Sequence, residues 1–299
     1  MATALKIILR IILIVVLIAA LAIGAAWGFV YFKYKVNLFS VVGTVNTLNQ
    51  EVNVDELAPK QITTTDTTNM VTKVNNCFLG EDLINYNPST EKYTINKNPT
   101  FAMTQDIVLT DKDVCCLANI LIGMNDVSLN IGGSSVSLKD YDFKLLQIAF
   151  SDFDAEAKTM KFNVVSSISL TKLKDKMTSF PLSMFKSKVP ETLYISSTVV
   201  LAKTSGAMSY TVEGSSIRLN NVENNKVEEL CTLANNFVSI GTANELNTTI
   251  GTNFINAIIG TEESQGLTYS LVHATIPVAS DFDLKKTGDE INYVIKKII

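Results

Sequence analysis

The hydrophobic pattern of this chain changes period several times, and each change marks an element. Ile11–Phe32 carries no charged residue. At about 1.5 Å rise per residue, about 22 residues make roughly 33 Å of helix, enough to cross a hydrocarbon core of about 30 Å. After a mixed stretch, Leu109-Thr110-Asp111-Lys112-Asp113-Val114 carries a helix start. Thr110 is the cap, Asp113 sits at the capping-box position, and Leu109 and Val114 form the staple. The apolar set Val114, Leu117, Leu121 and Ile122 then repeats at helical spacing, so the pattern predicts a helix over Asp111–Met124.

Downstream the period shortens to two. Phe143–Asp152 and Thr159–Leu170 flank a hairpin loop at Asp154–Lys158. Phe162, Val164, Ser166, Ile168 and Leu170 share one face, as a half-buried strand requires. Thr171–Thr178 reads as a short helix. A second hairpin, Thr192–Lys203 and Ala207–Leu219, turns at Thr204-Ser205-Gly206. Val227, Leu230, Ala234, Phe237, Val238 and Gly241 return to helical spacing. After a break at Gly241-Thr242, the face Leu246, Ile250, Phe254, Ile255 and Ile258 continues to a C-cap glycine, Gly260. Leu267–Ile276 and Glu290–Ile299 read as closing strands. Upstream, Val41–Leu48 has strand character and Gln61–Met70, polar and Thr-rich, reads as a loop. Helices segregated from strands predict an α+β fold with an antiparallel sheet.

The apolar run near the N-terminus predicts a retained single-pass anchor. It exceeds the 7–15 residues typical of a signal-peptide core. Lys6 and Arg10 flank one side; Trp27, Tyr31, Lys33, Tyr34 and Lys35 gather at the other, where amphipathic rings favour headgroups. The slight basic bias favours N-in, C-out, so the expected location is the plasma membrane with most of the chain outside the cytoplasm. The sequence divides into a tail and anchor (1–35), a juxtamembrane lead segment (36–103) and an α+β domain (104–299).

Charge narrows the function. Four basic residues precede Val36, leaving 21 basic against 29 acidic residues and a formal net charge of −8 beyond the anchor. Such a domain repels phosphate backbones, so nucleic acid is not an expected partner. Beyond the anchor only Arg218 is an arginine, which disfavours a bidentate phosphate site. Cys77, Cys115, Cys116 and Cys231 match no zinc spacing and read as small buried side chains, with a Cys77–Cys116 or Cys116–Cys231 disulfide as the alternative.

His273 is the single histidine, and no partner spacing supports catalysis through it. Asp140, Asp142, Asp152, Asp154 and Glu156 lack calcium-loop spacing, as do Asp281, Asp283, Asp289 and Glu290. Gly132-Gly133-Ser134-Ser135 reads as a turn. Asn247-Thr248-Thr249 is a formal glycosylation sequon inside a predicted helix. No catalytic residue, cofactor or metal is expected.

The segment LTDKDVCCLANILIG resembles the helix start of the YpmS-like extracytoplasmic proteins of Gram-positive bacteria, which relate to the tubular lipid-binding (TULIP) superfamily. PETLYISSTVVLAK followed by MSYTVEGSSIRLNNV is similar to the sheet-to-helix passage there, and the likeness spans Thr104–Ile299. The resemblance implies a curved antiparallel sheet packed on one or two long amphipathic helices, with an apolar groove for a lipid or acyl chain. The groove candidates are Val114, Leu117, Leu121, Phe237, Leu246, Ile250 and Phe254 on helices, and Phe162, Val164 and Ile168 on the sheet. A membrane-tethered lipid-handling module is the first expectation. A scaffolding ectodomain that recruits an envelope protein partner is the second, and a carboxylate-using hydrolase the third.

Overall fold

The structure, a computed structural model, describes residues 38–80, 82–87, 89–90, 92–96, 102–124, 128–131, 134–137, 141–176, 178, 186–206, 208–235, 241–259 and 281–297. The apolar run Ile11–Phe32, the strand expected at Leu267–Ile276, Phe237, Gly260 and His273 lie outside the described residues. Among the described residues no helix is long and apolar enough to cross a membrane.

Three helices lead the chain: α1 (Leu38–Leu48), α2 (Val54–Leu57) and α3 (Thr64–Asn75). Short strands follow, β1 (Phe78–Leu79), β2 (Ile84–Asn87), β3 (Lys92–Ile95), β4 (Ala102–Met103) and β5 (Ile107–Leu109). Then come α4 (Asp111–Met124), β6 (Ser128–Ile131), β7 (Ser134–Ser137), β8 (Lys144–Asp154), β9 (Thr159–Ser169) and α5 (Thr171–Lys176). The chain continues through β10 (Thr192–Lys203), β11 (Tyr210–Leu219), α6 (Asn224–Ala234), α7 (Ala243–Ile258), β12 (Phe282–Thr287) and β13 (Glu290–Ile295). The fold is α+β and its sheets are antiparallel, as the segregation of periods predicts.

Two upstream expectations are corrected. Val41–Leu48, read as strand, is the helix α1; Thr44, Val45 and Leu48 are its buried positions, which are helically spaced. Docking of that face overrides the β-branched preference of the valines. Gln61–Met70, read as a loop, contains most of the first turns of α3. Thr63 and Asp66 close a capping box at its start, and Met70 and Val74 bury one face at i, i+4 spacing.

The central sheet has the order β11-β10-β9-β8. Along β10, Leu193, Ile195, Ser197, Val199 and Leu201 are buried and the residues between them are only half-buried. One face of this sheet therefore carries the core, and α4 and α7 lie on it. A second sheet, β12-β13-β5, shares that core through Ile107, Leu109, Phe282, Leu284, Tyr293 and Ile295. Phe282 stacks on Tyr293 with ring centroids 5.5 Å apart. Met70, Val74 and Phe78 of the lead segment join the same cluster.

Helix side chains bond to both outer strands of the central sheet. On β8, the Asn119 amide of α4 donates to the Leu145 carbonyl (2.9 Å). On β11, the Gly214 N–H donates to Thr248 Oγ1 (2.9 Å) and the Ile217 N–H to Asn224 Oδ1 (3.0 Å).

Candidate functional site

The face where α4 and α7 meet the sheet is where the sequence locates its groove. Helix α4 is positioned by the reciprocal box expected for it. The Thr110 N–H donates to Asp113 Oδ2 (3.0 Å), and the Asp113 N–H donates to Thr110 Oγ1 (3.3 Å). Asp113 also pairs with Lys73 of α3. Lys60–Asp111 (2.7 Å) and Lys112–Asp66 (3.4 Å) add two further links between the lead segment and the start of α4. This row of ion pairs is not visible in the sequence, because its lysines and aspartates lie 40–51 residues apart.

Helix α7 starts at its own capping box, Thr242 with Glu245. It then seats unusually close to the sheet. A Cβ on Gly251 would lie 2.2 Å from Val199 Cγ1, and one on Gly214 would lie 2.7 Å from the Thr248 backbone nitrogen. Between these contacts Asn247 reaches inward and is fully buried. Its Oδ1 accepts from Ser197 Oγ (2.5 Å) and its amide donates to the Thr198 carbonyl (2.9 Å). The sequon at Asn247 is therefore a core polar pair, with no room for a glycan on the folded chain.

Six of the predicted groove positions are buried in the structure. Val114, Leu117, Phe162 and Ile168 are 0% exposed, Leu246 is 2% and Val164 is 6%. Val114, Leu117, Phe162 and Val164 belong to one core cluster, and Phe254 packs against it. Phe162 meets Phe150 edge-on at 4.7 Å. Ile168 and Leu246 are buried outside that cluster. Ile250 and Phe254 are half-buried. Leu121 lies on α4, and Phe237 is outside the described residues. A side chain at zero exposure has no water-sized space beside it, so an acyl chain has none either at those positions in this conformation.

A pocket of about 210 Å³ opens elsewhere, on the opposite face of the sheet beside α2. Val54, Asp142, Lys144, Leu146, Ser167, Ser169, Thr192 and Tyr194 line it. None of them is a predicted groove residue, and the volume falls below the roughly 300–1,000 Å³ usual for small-molecule sites.

The four cysteines are free and buried. Burial, and after it the neighbouring Cys116, pushes the Cys115 thiol up to about 12. Cys231 is likewise pushed up to about 12, by burial and then by Glu228. Thiols held protonated are poor nucleophiles and poor metal ligands. Among the described residues no group of three or more His, Cys, Asp or Glu is placed to hold a metal ion. The acidic residues are used locally. Asp154 Oδ1 accepts the Glu156 and Ala157 N–H groups (2.8 and 2.9 Å), Asp152 pairs with Lys161 (2.6 Å), and Asp281 pairs with Lys203 (2.6 Å).

Sequence reasoning misses one residue that organises this region. Asn220, 3% exposed, adopts a positive φ of 50° at the end of β11. Its amide donates to the Leu48 carbonyl (2.7 Å) and the Thr192 carbonyl (3.3 Å), and its Oδ1 accepts the Tyr194 N–H (2.7 Å). One side chain thus ties α1 to β10 and β11. The available signal is the Asn220-Asn221 pair at a strand end, since asparagine tolerates the left-handed region better than most residues.

No protein-family model, curated protein or solved structure matches the chain.

Proposed function

We propose that this protein is a single-pass, membrane-anchored ectodomain that works without catalysis, as a scaffold that recruits a protein partner at the cell envelope. The anchor is the uncharged run Ile11–Phe32, and the bulk of the chain lies outside the cytoplasm. The observation that carries the scaffold reading is the closed core. Val114, Leu117, Phe162 and Ile168, the positions an acyl chain would line, are buried to 0% exposure against other side chains. Large apolar side chains stand in solvent instead at Leu79, Tyr86 and Val108, which are 64%, 49% and 44% exposed. Tyrosine is enriched at the buried centres of protein–protein contacts, which makes Tyr86 the anchor of this set.

A lipid-handling reading is second. It is favoured by Ile250 and Phe254, apolar and half-buried on α7, and by the placement of two helices on one face of an antiparallel sheet. It requires α7 to lift from the sheet for a ligand to enter.

In-cell photo-crosslinking from probes at Leu79, Tyr86 and Val108 tests the scaffold reading. One protein adduct of fixed mass from these sites, absent with a probe at Lys144, is the expected result. Lipid adducts alone, or no adduct, would count against it.

A further inference from the structure

We propose that the pocket between α2 and the outer face of the central sheet binds one neutral, hydroxylated ring, a single sugar unit, with Ser167 on its floor. The site is independent of the anchor and scaffold readings above.

Strand register assembles the site. On the face of the sheet turned away from the core, Ser167 of β9 lies between Lys144 of β8 and Tyr194 of β10, its register partners on either side. Ser169 and Thr192 form the next pair on that face. The register of β8 shifts between Leu145 and Gln147, and this bulge lets two successive residues serve the same face. Leu146 lines the pocket, and Gln147 Oε1 accepts the Lys60 N–H (2.6 Å), which holds the segment after α2 against the sheet. Val54 of α2 supplies the wall across from the strands. Asn220 fixes the β10 wall, because it donates to the Thr192 carbonyl (3.3 Å) and accepts the Tyr194 N–H (2.7 Å).

One group in the pocket lacks a use in the fold. Ser167 is 7% exposed, and its hydroxyl has no protein hydrogen-bond partner among the described residues. Buried hydroxyls are nearly always hydrogen-bonded, so this one is left to whatever fills the pocket it lines. The neighbouring Ser169 hydroxyl, by contrast, donates to Thr171 Oγ1 (3.2 Å).

The lining selects the ligand class. The hydroxyls of Ser167, Thr192 and Tyr194 each donate and accept, and the Tyr194 ring adds an aromatic face. Val54 and Leu146 are apolar. A sugar ring carries the matching set, with hydroxyls around its edge and C–H groups on its faces. Charge excludes the alternatives. Lys144 pairs with Asp142 at 2.9 Å, Lys174 pairs with Glu191 beside Thr192 at 3.6 Å, and Asp55 and Glu56 follow Val54 on α2. Both signs surround the pocket, so no single-sign field draws an ion, and no arginine lines it to take a phosphate in bidentate fashion. A purely apolar ligand would strand the Ser167 hydroxyl. The volume of about 210 Å³ equals that of roughly seven waters at about 30 Å³ each, which suits one ring and nothing larger.

Saturation-transfer NMR with the full chain in phospholipid nanodiscs tests the site. The probes are glucose, galactose, mannose, ribose and N-acetylglucosamine, with inorganic phosphate and cyclohexanol as the charged and apolar comparisons. At least one sugar is expected to bind saturably, and neither comparison is expected to displace it. Ser167→Ala should weaken that sugar by up to about tenfold, the loss of one hydrogen bond. T211A, on β11 outside the pocket, should leave binding unchanged. S167A should melt at or above the temperature of the parent, because no contact within the fold uses the hydroxyl. A trimer of the bound sugar that competes as well as the monomer assigns the ring to a glycan chain, and a trimer that is excluded assigns it to a free sugar. No saturable sugar signal, displacement by phosphate or cyclohexanol, a sugar signal untouched by S167A, or an S167A chain that melts lower would overturn the proposal.

Discussion

Substituting Gly251 by alanine asks how closely α7 is seated on the sheet. In most helix interiors this change stabilises by about 0.5–1 kcal/mol, because alanine has less unfolded-state entropy to lose. Here the added Cβ would lie 2.2 Å from Val199 Cγ1, 2.9 Å from its Cβ and 3.2 Å from its Cγ2. Val199 is 0% exposed, β-branched and held in a central strand, so it cannot rotate away cheaply. Overpacking of this kind costs about 1–3 kcal/mol. The net expectation for G251A is a loss of about 1–2 kcal/mol, or a melting temperature lower by roughly 2–8 °C at about 2–4 °C per kcal/mol. G123A is the internal control, since nothing lies within 4 Å of a Cβ there and Gly123 lies within α4. It should raise stability by up to about 1 kcal/mol. V199A should cost less in the G251A background than alone, because the two changes share one space. Thermal and urea melts of the purified full chain read all of these variants. A neutral or stabilising G251A, moving with G123A, would refute the close seating of α7.

Further outcomes follow from the same geometry. N220A removes three hydrogen bonds and leaves a non-glycine residue at φ 50°, so it should cost about 2–4 kcal/mol in urea melts. N220G, free of the Cβ penalty, should recover about 1 kcal/mol of that. Expressed in a glycosylating host, the folded chain should carry no glycan on Asn247, as intact-mass analysis would show, and N247A should cost about 2–3 kcal/mol. Hydrogen bonds from the Thr63 hydroxyl and N–H, followed by Lys112, hold the Asp66 carboxyl below its usual value. Its stabilising contribution is therefore complete above the ordinary carboxylate range and lost as pH falls through the lowered value, so D66N should flatten the acid limb of a stability–pH curve.

The elements legible in the sequence are those where local and tertiary demands agree. Asp111–Met124 is found at the bounds its capping box and apolar spacing imply, and Thr192–Lys203 is found where its alternation begins and ends. α1 escapes the pattern because Val41, Val42 and Val45 favour strand locally, while the burial of Thr44, Val45 and Leu48 decides for helix. α3 escapes it because its threonines mask a weak apolar face, although the Thr63–Asp66 spacing is a readable start signal. Strands of two to four residues, such as β1 and β4, are too short to show a period. Their pairing is fixed by contacts distant in the chain, such as Phe78 with Met103. The candidate groove shows the limit most plainly. Periodicity identifies Val114, Leu117, Phe162 and Leu246 as inward-facing, but whether an inward face meets a ligand or another side chain depends on how closely α7 approaches the sheet. That approach is set by Gly214 and Gly251, whose role no periodicity reports.

Native mass spectrometry of the full chain, purified from cells in mild detergent and paired with lipid extraction of the same sample, tests the scaffold reading most directly. A closed core predicts a mass equal to the bare chain after detergent release, and no saturable uptake of added fatty acid or phospholipid. Co-purification of one acyl lipid at fixed stoichiometry, lost on substituting Phe162 or Phe254 in a chain that still folds, would contradict the closed core and establish the groove.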